Sequence, residues 1–362
     1  MRAPEADISV LLSKLRRLIE ADGPISIAEY MTICLSDPDH GYYMKQDPFG
    51  SGGDFVTAPE VSQLFGELIG AWLADTWRRM GAPSPVNLIE PGPGRGTLMS
   101  DILRVAALDA DFLAALRVHL IEISPVLRAR QQQTLQSAGI EVHWHETFTD
   151  IPGGPLLLVA NEFFDALPIR QYAAHQAKWQ ERRIGLSDDC HITFTLGART
   201  LDTGLEPVEG AIVEVSPVSS AIMNDLADRI GKHGGAALII DYGHAETAIG
   251  ETLQAVRAHQ YVDPLTSPGD ADLTAHVDFA ALQAACSGTN AVCHGPMTQG
   301  DFLLALGLLE RAGRLGRGKD ETAREAIRNA VERLAGSDQM GRLFKVLAVT
   351  SSGIDPLPFS AD

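Results

Sequence analysis

Ten residues, Leu88-Ile89-Glu90-Pro91-Gly92-Pro93-Gly94-Arg95-Gly96-Thr97, restrict the fold more than any other part of the chain. An apolar run, Val86 to Ile89, ends in an acid and then in three glycines at alternate positions. A helix pattern beginning at Leu98 follows at once. Strand, glycine turn and helix start, in that order, are how an open α/β sheet makes room for an anionic or polar cofactor. Lacking a Cβ, the glycines let the backbone approach a ligand closely. The other reading of the same residues is a plain tight turn.

Spacing separates the cofactor classes. A dinucleotide fingerprint, G-x-G-x-x-G, would set its third glycine where Thr97 stands, which argues against a nucleotide-dependent oxidoreductase. The G-x-G-x-G found here, preceded by Glu90, resembles the first motif of the S-adenosylmethionine-dependent methyltransferases, in which the acid contacts the amino-acid end of the cofactor. Glu122 ends the next predicted strand. An ionised carboxylate in that place can accept from both hydroxyls of a ribose. NAD enzymes use an acid similarly, so Glu122 points to a nucleoside cofactor without choosing one. A solvated strand-end glutamate is the alternative.

Composition removes several function classes. The formal charge is −18, from 47 acids against 29 Lys and Arg, which suits a basic protein substrate and not a phosphate backbone, so no nucleic-acid partner is expected. Cys34, Cys190, Cys286 and Cys293 form no disulfide framework by count or spacing, and no C-x-x-C supports a metal site. No run approaches the ~18 apolar residues of a membrane span. Glu5 and Asp7 stand near the start with no long apolar stretch, so no secretory or mitochondrial targeting segment is evident. A reducing cytosol is the expected compartment.

The periodicities predict a helix over Ile8–Ile19 and a second over Ile27–Leu35, the latter opened by a Ser26/Glu29 capping box. An irregular stretch rich in Gly and Asp follows, and its Gly41–Thr57 part could act as a lid. Thr57 and Glu60 read as another capping box, starting a long helix through Trp72 and Trp77. Strands at Val86–Glu90, Arg117–Ile123, Ile140–Trp144, Leu156–Ala160 and Ala236–Asp241 alternate with helices, including one opened by Ser124-Pro125 and one by Ser216-Pro217. That alternation predicts an α/β fold with a Rossmann-like, doubly wound, mostly parallel sheet. Arg170–Val215 reads as antiparallel strands inserted in or added to that sheet, and Ala245–Asp278 as polar turns. Helices at Phe279–Ala285, Gln299–Arg311 and Glu321–Ala335 and a last strand, Leu343–Val349, complete the pattern. Residues 1–60 are thus expected to supply helices and a glycine-rich loop over the cofactor site. Residues 61–362 would form the core, with an antiparallel insertion at about 170–215 and a helical and loop insertion at about 245–335.

The fourth core strand runs into Asn161-Glu162-Phe163-Phe164-Asp165-Ala166-Leu167-Pro168. Ligands in open sheets bind beyond the carboxyl ends of strands, so Asn161, Glu162 and Asp165 are the candidate catalytic residues. Methyl transfer needs a nucleophile aligned in line with the departing group more than it needs acid–base power. Paired carboxylates can clamp a guanidinium and orient its nitrogen. A helix N-cap followed by first-turn acids is the other reading of this stretch. Thr57 joins Glu90, Gly92, Gly94, Gly96 and Glu122 as an expected cofactor contact. His40 and His276 lie in predicted loops and could serve as a proton acceptor, but neither has a visible partner, and the expected reading is a surface histidine.

Tyr42-Tyr43, Gly53-Asp54-Phe55-Val56-Thr57-Ala58-Pro59-Glu60, the glycine motif and Asn161–Pro168 together resemble the MidA family. So do Asp263-Pro264-Leu265, Asp272-Leu273-Thr274-Ala275-His276-Val277-Asp278-Phe279 and Gln299-Gly300-Asp301-Phe302-Leu303. This is the family of mitochondrial complex I assembly methyltransferases and their bacterial relatives. The resemblance implies a Rossmann-like methyltransferase core with added segments, using S-adenosylmethionine. It also implies methylation of an arginine in an NADH dehydrogenase subunit. An assembly factor that binds such a subunit, or S-adenosylmethionine itself, without catalysis is the alternative.

Overall fold

The computed structural model describes residues 10–45 and 57–359. The start of the first expected helix at Ile8, the Gly53–Val56 part of the family motif and most of the Gly41–Thr57 segment lie outside the described residues.

Among the described residues the central sheet has eight strands. Seven lie in the order Ala291–Thr298, Phe344–Ser351, Gly235–His244, Leu156–Asn161, Val86–Pro91, Leu116–Ile121 and Val142–His145. Val277–Asp278 extends the end of Gly235–His244 in parallel. Phe344–Ser351 runs antiparallel to both neighbours, and the five strands beyond it are mutually parallel. This is a Rossmann-like α/β sheet whose strand order reverses between Val86–Pro91 and Leu156–Asn161, the place where open sheets leave a crevice.

The apolar strands follow from being covered on both faces. Leu157 and Val159 enter the core beneath helices Gln63–Arg79 and Thr97–Ala106, while Leu158 and Ala160 enter the core beneath helix Pro217–His233. Fully burying one such leucine or valine contributes about 1.5–3 kcal/mol. Local signals set the helix starts. Ser216 accepts from the Ser219 amide, Ser124 from the Leu127 amide, and the Ser26/Glu29 capping box forms in both directions.

Among the described residues the antiparallel stretch joins nothing in the central sheet. Arg170–His175, Lys178–Leu186, Ile192–Leu201 and Ile212–Val215 form their own sheet, to which Ile25–Ser26 adds a short strand. A second core holds this sheet against the N-terminal helices, Val10–Asp22 and Ile27–Ser36. Leu15, Tyr30 and Ile184 meet Leu253 and Leu273 there.

Several expectations need correction. Thr57 and Glu60 make no capping box: helix Ala58–Val61 has no side-chain cap, and Ser62, in extended backbone, starts a separate helix by accepting from Leu64. Gln299–Arg311 is two helices, Gln299–Ala305 and Leu308–Leu315, divided at Gly307 with φ +89°. The polar Ala245–Asp278 stretch holds a three-stranded sheet of Gln254–Arg257, Gln260–Val262 and Asp272–Thr274. Strand Ala291–Thr298 was not expected, since Gly295-Pro296 interrupts its pattern at the irregularity between His294 and Met297.

Candidate active site

A cavity of about 710 Å³ opens at the carboxyl ends of the core strands, at the reversal of strand order. It has two unlike ends, which share the short helix Ala58–Val61.

The glycine turn forms one end. Gly92, Gly94 and Gly96 take φ of +60°, +52° and +80°, conformations that L side chains rarely adopt. A Cβ on Gly92 would stand 3.1 Å from the Phe163 ring. Glu90, buried at 3% exposure, lines the cavity, and its Oε2 has no hydrogen-bond partner among the described residues. Burial alone pushes its carboxyl well above the usual range. Glu122 lies one residue beyond strand Leu116–Ile121. Its Oε1 accepts from the Ser124 amide at 2.8 Å and its Oε2 from Gln131 Nε2 at 3.0 Å. Burial raises the Glu122 carboxyl, and these two bonds oppose it. Thr57 also lines the cavity.

The other end is built from carboxylates and aromatic rings. The backbone leaves strand Leu156–Asn161 through Glu162, at φ +49°, a strained position for a residue with a side chain. Asp241, fully buried, holds the turn. One carboxylate oxygen accepts from the amides of Phe163, Phe164 and Asp165 at 3.2, 2.9 and 3.2 Å, and the other from the Tyr242 amide at 3.0 Å. Glu162 Oε1 accepts from the Ala58 amide at 3.0 Å and from Asn161 Nδ2 at 3.1 Å. Asp165, also buried, bonds the Tyr242 hydroxyl, while its Oδ1 has no partner among the described residues. Opposite, the Tyr43 hydroxyl donates to Asp272 at 2.8 Å.

Electrostatics follow from this crowding. Burial pushes Glu162 up to about 7 and raises Asp165 as well. Asp241 is raised by burial and then by the charges of Asp165 and Glu162, with its backbone bonds opposing. Among the described residues no group of His, Cys, Asp or Glu could hold a metal ion.

Every expected site residue therefore borders one cavity or its supporting turn. His276 corrects the reading of a surface histidine: it lines the cavity, its ring edge-on to Tyr242 at 5.6 Å. Asp241, Tyr242 and Gln131 were not singled out from the sequence, and Tyr43 and Asp272 were marked only within the motifs of the family resemblance. Glu60, read as a capping acid, instead accepts from the Thr97 hydroxyl and lies 3.9 Å from Arg95. Helix Ala58–Val61 thus touches the glycine turn through Glu60 and the Glu162 turn through its first amide.

A glycine turn, and beside it an acid with one oxygen unpartnered among the described residues, at the reversal of a doubly wound sheet define a nucleoside-cofactor enzyme. The family model described as "Putative S-adenosyl-L-methionine-dependent methyltransferase" matches residues 68–297, and the chain belongs to this family of methyltransferases. It is 38% identical over 373 residues to the Drosophila melanogaster protein named protein arginine methyltransferase NDUFAF7 homolog, mitochondrial, spanning 94% of this chain and 84% of that one. The human protein arginine methyltransferase NDUFAF7, mitochondrial, is 34% identical, spanning 95% of this chain and 84% of that one. A Burkholderia thailandensis crystal structure bound to S-adenosyl-homocysteine superposes with a TM-score of 0.84 at 29% identity, covering 98% of this chain and 95% of that one. The methyl donor of this family is S-adenosylmethionine. Both named relatives are mitochondrial, so the expected cytosolic compartment has no counterpart in them. Among the described residues no helix is long and apolar enough to cross a membrane.

Proposed function

We propose that the chain transfers a methyl group from S-adenosylmethionine to a guanidinium nitrogen of an arginine in a protein. The observation that carries this reading is Asp165. It is a buried carboxylate with an oxygen left unpartnered among the described residues, beside Glu162 and in the same cavity as the glycine turn. A buried acceptor without a donor is costly, and a guanidinium, with five donors in a fixed fork, suits such a site. The names of the relatives support the same acceptor.

The opposite end of the cavity fits the donor. Glu90 Oε2, unpartnered among the described residues, suits the ammonium of the methionyl moiety, Glu122 keeps lone pairs for ribose hydroxyls, and Gly92, Gly94 and Gly96 leave the backbone bare. Thr57 closes this side. Bound there, the cofactor supplies an electrophilic methyl on a sulfonium, whose displacement leaves a neutral thioether. Glu162 and Asp165 orient the attacking nitrogen, and the proton it sheds passes to a carboxylate that burial has made basic enough to take it. Asn161 steadies Glu162. The resemblance to complex I assembly methyltransferases makes an NADH dehydrogenase subunit the proposed acceptor.

The test is incubation of the chain with labelled S-adenosylmethionine and a cell extract, followed by acid hydrolysis and chromatography of the labelled amino acids. Methylarginine is expected, absent with Asp165→Asn. Label on lysine or histidine would overturn the acceptor assignment.

A further inference from the structure

Gln131 sits in the middle of helix Pro125–Leu135, in a polar stretch where a glutamine normally faces water. Its side chain is instead fully buried. Nε2 donates to the Gly94 carbonyl at 2.8 Å and to Glu122 Oε2 at 3.0 Å, and Oε1 accepts from the Trp144 indole at 2.9 Å. The partners fix the orientation of the amide. A carbonyl and a carboxylate only accept and an indole only donates, so the flipped amide would lose all three bonds. Both protons of the amide are therefore committed, one to each half of the cofactor end.

Glu122 is gripped from behind at both oxygens, by Ser124 and by Gln131. Its remaining lone pairs are thereby aimed, and the Gly94 peptide is fixed relative to them. Gly96 packs on the same side chain, since a Cβ there would lie 3.5 Å from Gln131.

We propose that Gln131 is a positioning residue for the cofactor, setting Glu122 against the glycine turn at the separation the ribose hydroxyls require. This rests on the assignment of S-adenosylmethionine to the cavity and of Glu122 to its ribose. Gln131 touches no reacting atom. Its effect falls on cofactor affinity, and within that on the part owed to the hydroxyls.

The experiment is calorimetric titration of the full chain with S-adenosylhomocysteine and with its 2′-deoxy analogue. The unmodified chain is expected to prefer the former by about tenfold, the worth of one hydrogen bond to a charged group. Gln131→Met is expected to weaken S-adenosylhomocysteine by about tenfold and to bring the preference close to one. Where Gln131→Met does not fold, Trp144→Phe carries the test. It releases one of the three bonds, and about a threefold fall in the preference is expected. A preference unchanged in the folded variant overturns the proposal, because a purely structural glutamine would weaken both ligands alike. No binding by the unmodified chain would overturn the cofactor assignment itself. Binding without any preference would overturn the role of Glu122, and the role of Gln131 falls with either.

Discussion

The two ends of the cavity are made differently. The glycine-turn end comes from one continuous stretch, Glu90 to Thr97, supported by Glu122, just beyond strand Leu116–Ile121, and by Gln131 from helix Pro125–Leu135. Its surface is largely bare backbone, with glycines at 92, 94 and 96. The carboxylate end is made of side chains drawn from Tyr43, Glu162, Asp165, Asp241, Tyr242 and Asp272, in four separate parts of the chain. A turn written in consecutive residues can be specified locally, whereas a cluster of like charges needs the whole fold to hold it together against burial and repulsion.

If the ends divide the work in this way, substitutions at each should move different quantities. The largest effect is expected for Asp165→Asn, with kcat lower by about 10³-fold and S-adenosylhomocysteine affinity within about twofold, read by methylarginine yield and calorimetry. A matching loss of cofactor affinity would break the division. Gly94→Val should do the reverse. A β-branched residue at φ +52° is strongly disfavoured, and cofactor Kd should rise by about 10²-fold. Retention of tight binding there would remove the glycine turn from the cofactor site.

Asp241→Asn tests the support of the carboxylate end. The amide can receive fewer of the four backbone donors, so kcat/KM should fall by about tenfold, with Tm lower by several degrees and cofactor Kd unchanged. The smallest effect is in pH. Glu162 is raised to about 7, so it is neutral below that value and charged above it. The clamp is then weakened as pH falls, and kcat/KM should drop by up to about tenfold between pH 7.5 and 6. Glu162→Gln should flatten that limb of the profile. Stability runs the opposite way. With the folded pKa above the unfolded one, the contribution of Glu162 is full below about pH 4.5 and is lost as pH rises through 7.

The same contrast governs what could be read from the sequence. Signals that act over three or four residues were legible: the Ser26/Glu29 box, the Ser216-Pro217 start, the alternate glycines. The Thr57/Glu60 pair has the same spacing but does not form a box, because Glu60 is taken by the Thr97 hydroxyl. A contact across the fold outcompeted a local one. Asp241 reads as one more acid at a strand end, and nothing near it announces the amides of Phe163, Phe164 and Asp165 that it receives from a distant turn. Gln131 is hidden in a polar helix, since sequence alone does not show that Trp144 and Gly94 close over it. The family resemblance marked the Asp272–Phe279 segment, yet its place opposite Tyr43 depends on a small sheet that its turn-rich composition concealed.

The wall that carries Tyr43 and Asp272 is tied by bonds between opposite parts of the chain. Tyr30 donates to the Pro264 carbonyl at 2.6 Å across 234 positions, and Tyr43 to Asp272 across 229. Closing loops of that length is entropically expensive and slow, while the bonds that brace the Glu90–Thr97 turn span 37 positions. The residues that brace the glycine turn, Glu60, Gln131 and Trp144, leave the ribosome while much of the polypeptide is still missing. The carboxylate end must wait until residue 272 has emerged, so the two ends of one cavity are completed at different stages of synthesis.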